Sequence, residues 1–195
     1  MAIFIPKETV RPAYGSITPY LLDTVGVRAT DALVERYKTG CAQADGADIF
    51  WRLDAYGNPM GGAVILHNEQ GVGLRAWDIL ERNPTLSGIY ATYPCLFGWH
   101  LLRMGDAVAI VQDEVTALLG SVAEPRLTWL AVGYGQNLTE GLLAPLAGHD
   151  VFLYPDSLNA EPWHGLRMPT KRMVVSDAFT AERDINRSII NTIKS

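Results

Sequence analysis

The chain has 195 residues, 48% of them hydrophobic and 19% charged, with a formal net charge of -5. That balance excludes an intrinsically disordered chain, which is poorer in apolar residues and more highly charged, and it argues against a strongly basic polyanion-binding protein. No run of about 18 apolar residues is present, so no membrane span is expected. The start Met1-Ala-Ile-Phe-Ile-Pro-Lys7 lacks a basic region followed by a long apolar stretch, so no secretory signal is expected either. Cys41 and Cys95 share no Cys-x-x-Cys spacing, and reduced thiols in a cytoplasmic protein are the default reading.

In chain order, residues 1–30 read as an irregular or helical lead-in broken by Pro6, Pro12 and Pro19, with Ser16-Ile-Thr-Pro19 able to open a short helix. Ile49-Phe-Trp-Arg-Leu53 is a strand, Asp54 to Asn58 a turn, and Gly61-Gly-Ala-Val-Ile-Leu66 the returning strand of a hairpin. A partner strand is expected between Val72 and Trp77. The chain then divides near Pro94. Residues 1–94 form the lead-in and a small β layer; residues 95–195 form an α/β unit that packs with it as one compact body.

The second part alternates. Ala107-Val-Ala-Ile-Val111 is an apolar run of the kind covered on both faces of a sheet. A helix follows from Glu114 to Ser121, then a strand Leu127-Thr-Trp-Leu-Ala131 and a Gly133-Tyr-Gly135 turn. Asn137 or Thr139 caps a helix running to Ala147. Val151-Phe-Leu-Tyr154 and Met173-Val-Val175 are further strands. Ile185, Ile189 and Ile193 make one stripe of a terminal helix over Ala178 to Ile193. Alternation of this kind predicts right-handed crossovers and a parallel sheet.

Function in an open parallel sheet collects at the carboxyl ends of its strands. Those ends carry Gln112-Asp113-Glu114, Gly133-Tyr134-Gly135 and Asp156. Asp113, Glu114 and Asp156 can converge on a hard divalent cation. Alternatively, the first two sit in the first turn of a helix, where the macrodipole favours acids, and Asp156 turns the chain by bonding nearby backbone N–H groups. The glycine turn either lets a phosphate approach the backbone or is simply a tight connection. Arg167, Lys171 and Arg172 are the densest basic group, either a grip on nucleic-acid phosphates or a solvated face. His100, His149 and His164 match no zinc spacing, and Trp99 is the tryptophan expected to be most exposed.

Several segments together resemble the Toprim-like domain of primase-related proteins carried by phages and mobile elements. They are Val108-Ala-Ile-Val-Gln-Asp-Glu-Val-Thr-Ala-Leu118, Trp129-Leu-Ala-Val-Gly133, and Val151-Phe-Leu-Tyr-Pro-Asp156 with Trp163. Cys95-Leu-Phe-Gly-Trp-His-Leu-Leu102 is similar to a block that precedes the domain in that group, and the pattern of Ile49-Phe-Trp51, Asp54 and Gly57 is similar to its β layer. The resemblance spans roughly residues 35–178. It implies a Toprim-like, Rossmann-like α/β domain: a parallel sheet with helices on both faces, preceded by a small antiparallel β layer.

The resemblance also implies metal-dependent phosphoryl transfer, with a glutamate ending the first strand and an Asp-x-Asp pair ending the third. Gln112 stands where that glutamate would be, Leu158 replaces the second aspartate, and Val115 replaces a lysine. Glu114 matches the motif's second glutamate, and Asp156 matches the first aspartate of the pair. A neutral amide cannot act as a base or balance a cation's charge. The expectation is therefore a degenerate, non-catalytic member with no cofactor, binding nucleic acid or a protein of replication or defence. The alternative is an active nuclease- or primase-type enzyme with Gln112, Glu114 and Asp156 at its centre, and Mg²⁺ or Mn²⁺ held by Asp113, Glu114 and Asp156.

Overall fold

The computed structural model describes residues 5–82, 89–167, 172–176, 178 and 185–194. Two compact units divide after Leu101: Met1–Leu101 and Leu102–Ser195. The segment from Cys95 to Leu101 thus lies in the first unit.

In the first unit, α1 (Thr18–Val25) starts with Pro19 in its first turn, where a missing N–H costs nothing. It ends at Gly26 in a positive-φ conformation, and α2 (Val27–Tyr37) follows at once. Thr30, Leu33, Val34 and Tyr37 form the buried stripe of α2. The strands β1 (Gly40–Cys41), β2 (Asp48–Leu53), β3 (Pro59–His67) and β4 (Gly73–Asp78) make one antiparallel sheet in sequential order. α3 (Ile79–Arg82) closes this run.

The β2–β3 hairpin takes its register from its turn. Oδ1 of Asp54 accepts hydrogen bonds from Tyr56 N and Asn58 N, each at 2.8 Å. Phe50 meets Phe97 edge-on, and Tyr37 stacks on Phe97 with ring centres 5.2 Å apart. Leu96 and Phe97 are fully enclosed in this core. Burial also pushes the Cys95 thiol up to about 12, so it stays neutral at any ordinary pH.

At the start of α1 lies a buried polar cluster. Oδ2 of Asp48 accepts from Ser16 Oγ at 2.7 Å and Ile17 N at 2.9 Å, and lies 2.8 Å from Nδ1 of His67. The backbone N–H of His67 donates in turn to Ser16 Oγ at 2.9 Å. The cluster fastens the lead-in to β2 and β3.

In the second unit, β5 (Ala107–Val111), β6 (Thr128–Ala131), β7 (Asp150–Leu153) and β8 (Arg172–Val175) form an all-parallel sheet in the order β6-β5-β7-β8. Helix α4 (Glu114–Ala123) links β5 to β6. The pieces α5 (Glu140–Leu143) and Ala144–Leu146, a 3-10 turn, link β6 to β7. α6 (Ala160–His164) lies between β7 and β8, and α7 (Ile185–Lys194) packs on α4. The β5-to-β6 and β6-to-β7 crossovers run in opposite directions along the sheet. Right-handedness therefore puts α4 and α5 on opposite faces.

Central β5 is wholly apolar, with Val108 to Val111 fully buried. Gly120 lets α4 approach the sheet, since a Cβ there would stand 2.4 Å from the Trp129 ring. The fold class expected from the sequence is observed: an α/β parallel sheet with helices, and a separate antiparallel sheet. The terminal helix covers Ile185–Lys194, and the earlier part of the expected range falls partly outside the described residues. Within the stripe, Ile189 is buried and Ile193 half-buried. Among the described residues, no helix is long and apolar enough to cross a membrane.

Candidate functional site at the carboxyl ends of the parallel sheet

The loops leaving β5, β6 and β7 are pinned to one another by backbone hydrogen bonds. Gly133 N donates to Gln112 O at 2.9 Å, Val132 N to Val111 O at 3.0 Å, and Tyr154 N to Ile110 O at 2.9 Å. Gln112 ends the central strand, between the exits of β6 and β7. Its side-chain carbonyl Oε1 is enclosed and has no hydrogen-bond partner among the described residues. A buried orphan acceptor costs about 1–3 kcal/mol, and in native structures it calls for an explanation.

The carboxylates bond to the chain around them. Asp113 is the N-cap of α4: it accepts from Thr116 N at 2.8 Å and from the Thr116 hydroxyl. Glu114, only 3% exposed, reaches back to the β6 turn, where Oε1 accepts from Tyr134 N at 3.0 Å. Asp156 folds its own loop, with Oδ1 accepting from Leu158 N, Asn159 N and Asn159 Nδ2 at 2.8 to 2.9 Å. Leu158 is 86% exposed. Among the described residues, no group of three His, Cys, Asp or Glu side chains could hold a metal ion.

The basic residues separate. Arg167 is exposed; its guanidinium donates to His164 O at 3.1 Å and Leu166 O at 2.9 Å, and its backbone N donates to Glu140 Oε1 at 3.1 Å. Arg172 begins β8 opposite Asp150, at the amino end of the sheet, with its guanidinium 5.9 Å from the Phe152 ring centre. It therefore stands at the far end from Gln112. Lys171 lies outside the described residues.

The histidines have structural partners. His100 Nε2 lies 3.0 Å from Arg36 O, and its pKa is lowered by burial; His149 Nδ1 lies 2.8 Å from Asp106 O. Trp99, expected to be exposed, is half-buried. The glycine turn is a tight connection rather than a phosphate cradle, because the next helix starts only at Glu140 and is a single turn long.

Gly133 and Gly135 both take positive φ, 83° and 75°, and hold between them Tyr134, which is 42% exposed. An aromatic residue flanked by two glycines at a strand end is the signal that marks it.

This pairing of an antiparallel sheet with a four-stranded parallel sheet is the architecture of Toprim-containing primase domains. The chain is similar to the primase fragment of the bacteriophage T7 primase-helicase protein, with a TM-score of 0.57 and 15% identity over 83% of this chain and 66% of that one. It therefore spans slightly less than two thirds of that fragment's length. It is also similar to a chain in the complex of bacteriophage T7 lagging-strand DNA polymerase with primase domains bound to an RNA/DNA hybrid and dTTP. There the TM-score is 0.53, with 14% identity over 84% of this chain and 86% of that one. The chain belongs to the family described as domain of unknown function DUF6371, which matches residues 16–157. No curated protein matches it.

Proposed function

We propose that this chain is a degenerate Toprim-like protein of phage or mobile-element origin, which binds nucleic acid in a replication or defence setting and performs no phosphoryl transfer. The observation that carries the proposal is the identity and state of the residue ending the central strand. Gln112 is neutral, where metal-dependent chemistry needs a carboxylate, and its Oε1 is enclosed.

The remaining donor set fits a cation pair poorly. Leu158 carries no ligand atom, Asp113 caps a helix, and Glu114 and Asp156 accept from backbone N–H groups. Asp113 engages both of its oxygens with Thr116, so moving it onto a metal would strip the helix of its cap. Support for nucleic acid as the ligand comes from the fold shared with primase domains and from the position of the site at the sheet's carboxyl ends.

The test is fluorescence anisotropy with short labelled single-stranded DNA and RNA, alongside primer-synthesis and nuclease assays. The expected result is saturable binding that weakens as salt rises, persists in EDTA and is accompanied by no turnover. Turnover that requires Mg²⁺ and is abolished by Asp156→Ala would overturn the non-catalytic reading. Failure to bind any oligonucleotide would overturn the choice of nucleic acid over a protein partner.

A further inference from the structure

Resting on that nucleic-acid reading, we infer that Tyr134 is a stacking platform for an unpaired base at the carboxyl end of the parallel sheet. Three observations support this placement. The first is exposure: among the described residues of the second unit, Tyr134 is the aromatic residue among the exposed large hydrophobics, at 42%. An exposed aromatic ring offers every base a π-face, which suits binding that tolerates sequence.

The second is that the ring is carried on a fixed backbone. Tyr134 N donates to the buried Glu114 carboxylate at 3.0 Å, Gly133 N to Gln112 O at 2.9 Å, and Gln136 Nε2 to Val132 O at 2.6 Å. Both flanking glycines adopt the left-handed backbone that reverses the chain on each side. A backbone held this way loses little freedom when a base stacks on the ring it carries.

The third is the neighbour. Gln112, joined to the turn by that backbone bond, holds an enclosed side-chain carbonyl with no hydrogen-bond partner among the described residues. Each nucleobase carries an N–H donor on its pairing edge, the kind of group this acceptor lacks, and a rotation of the half-buried Gln112 side chain would bring the enclosed carbonyl to it. A duplex has those donors already engaged, which favours single strands.

The experiment compares the unsubstituted protein with Tyr134→Ala and Tyr134→Phe, using labelled single-stranded oligo-dT and oligo-dA in anisotropy titrations at two salt concentrations. Circular dichroism establishes that each variant is folded. Tyr134→Ala is expected to bind on the order of tenfold more weakly, with an unchanged salt slope, because a stacking contact and no phosphate contact is lost. Tyr134→Phe is expected to stay within about twofold of the unsubstituted protein, since the ring remains. Binding unaltered in Tyr134→Ala would overturn the platform while leaving the nucleic-acid reading in place. Absence of binding by the unsubstituted protein would overturn both, and a Tyr134→Phe loss as large as that of Tyr134→Ala would overturn stacking in favour of a hydroxyl contact.

Discussion

Asp48→Ala is expected to destabilise the protein by about 3–5 kcal/mol, the range seen when one partner of a buried ionic or hydrogen-bonded pair is removed. Asp48 is 1% exposed, and its Oδ2 is the shared partner of Ser16 Oγ, Ile17 N and His67 Nδ1. Alanine leaves these groups buried without their acceptor, and each orphan carries its own desolvation cost. Urea denaturation measures the effect as a lower midpoint. A loss under about 1 kcal/mol would mean that the lead-in is not fastened through this cluster.

The second large effect is expected at the glycine turn. Gly133→Ala places a Cβ 2.8 Å from Glu114 Oε1 at a residue with φ of 83°. The left-handed backbone costs an alanine about 1–2 kcal/mol. Overpacking against a buried carboxylate adds a further penalty of about 1–3 kcal/mol. The expected total is roughly 2–5 kcal/mol, read as a fall in Tm. Gly135→Ala provides the contrast, because its φ is 75° but no atom lies within 4 Å of the added Cβ. It should show the conformational cost alone, and equal losses at the two sites would show that the Glu114 contact contributes nothing.

Much of the parallel sheet was legible because buried strands are written as apolar runs. Ala107–Val111 was read at the bounds the structure has, and Asp150–Leu153 and Arg172–Val175 were read within a residue or so. The first unit was harder. α2 escaped because its buried stripe of Thr30, Leu33, Val34 and Tyr37 contains a threonine and is interleaved with Arg28, Asp31, Glu35 and Arg36. α6 escaped because Pro162 stands inside it, and the burial of Trp163 decides its position.

At the site, local bonds were legible and distant ones were not. A cap at Asp113 and a loop-closing role for Asp156 involve donors two or three residues away, within reach of local sequence rules. The bond from Glu114 to Tyr134 spans twenty residues and depends on the β5–β6 pairing, so no spacing announces it. The same pairing sets the exit of β6 beside Gln112. The separation of Arg172 from the carboxyl ends likewise follows from strand direction rather than from its closeness to Arg167 in sequence.

Gln112 and Leu158 bear on the proposed function through electrostatics. Retaining a dehydrated divalent cation takes converging negative oxygen ligands. Here an amide, Gln112, follows the central strand, and the exposed Leu158 carries no ligand atom.

The most direct test of lost catalysis is calorimetric titration of the purified protein with Mn²⁺, alongside Asp156→Ala and the double variant Gln112→Glu/Leu158→Asp. The account predicts no saturable heat from the native protein or from Asp156→Ala, and a new saturable site in the double variant. A micromolar to millimolar site in the native protein that disappears in Asp156→Ala would contradict it.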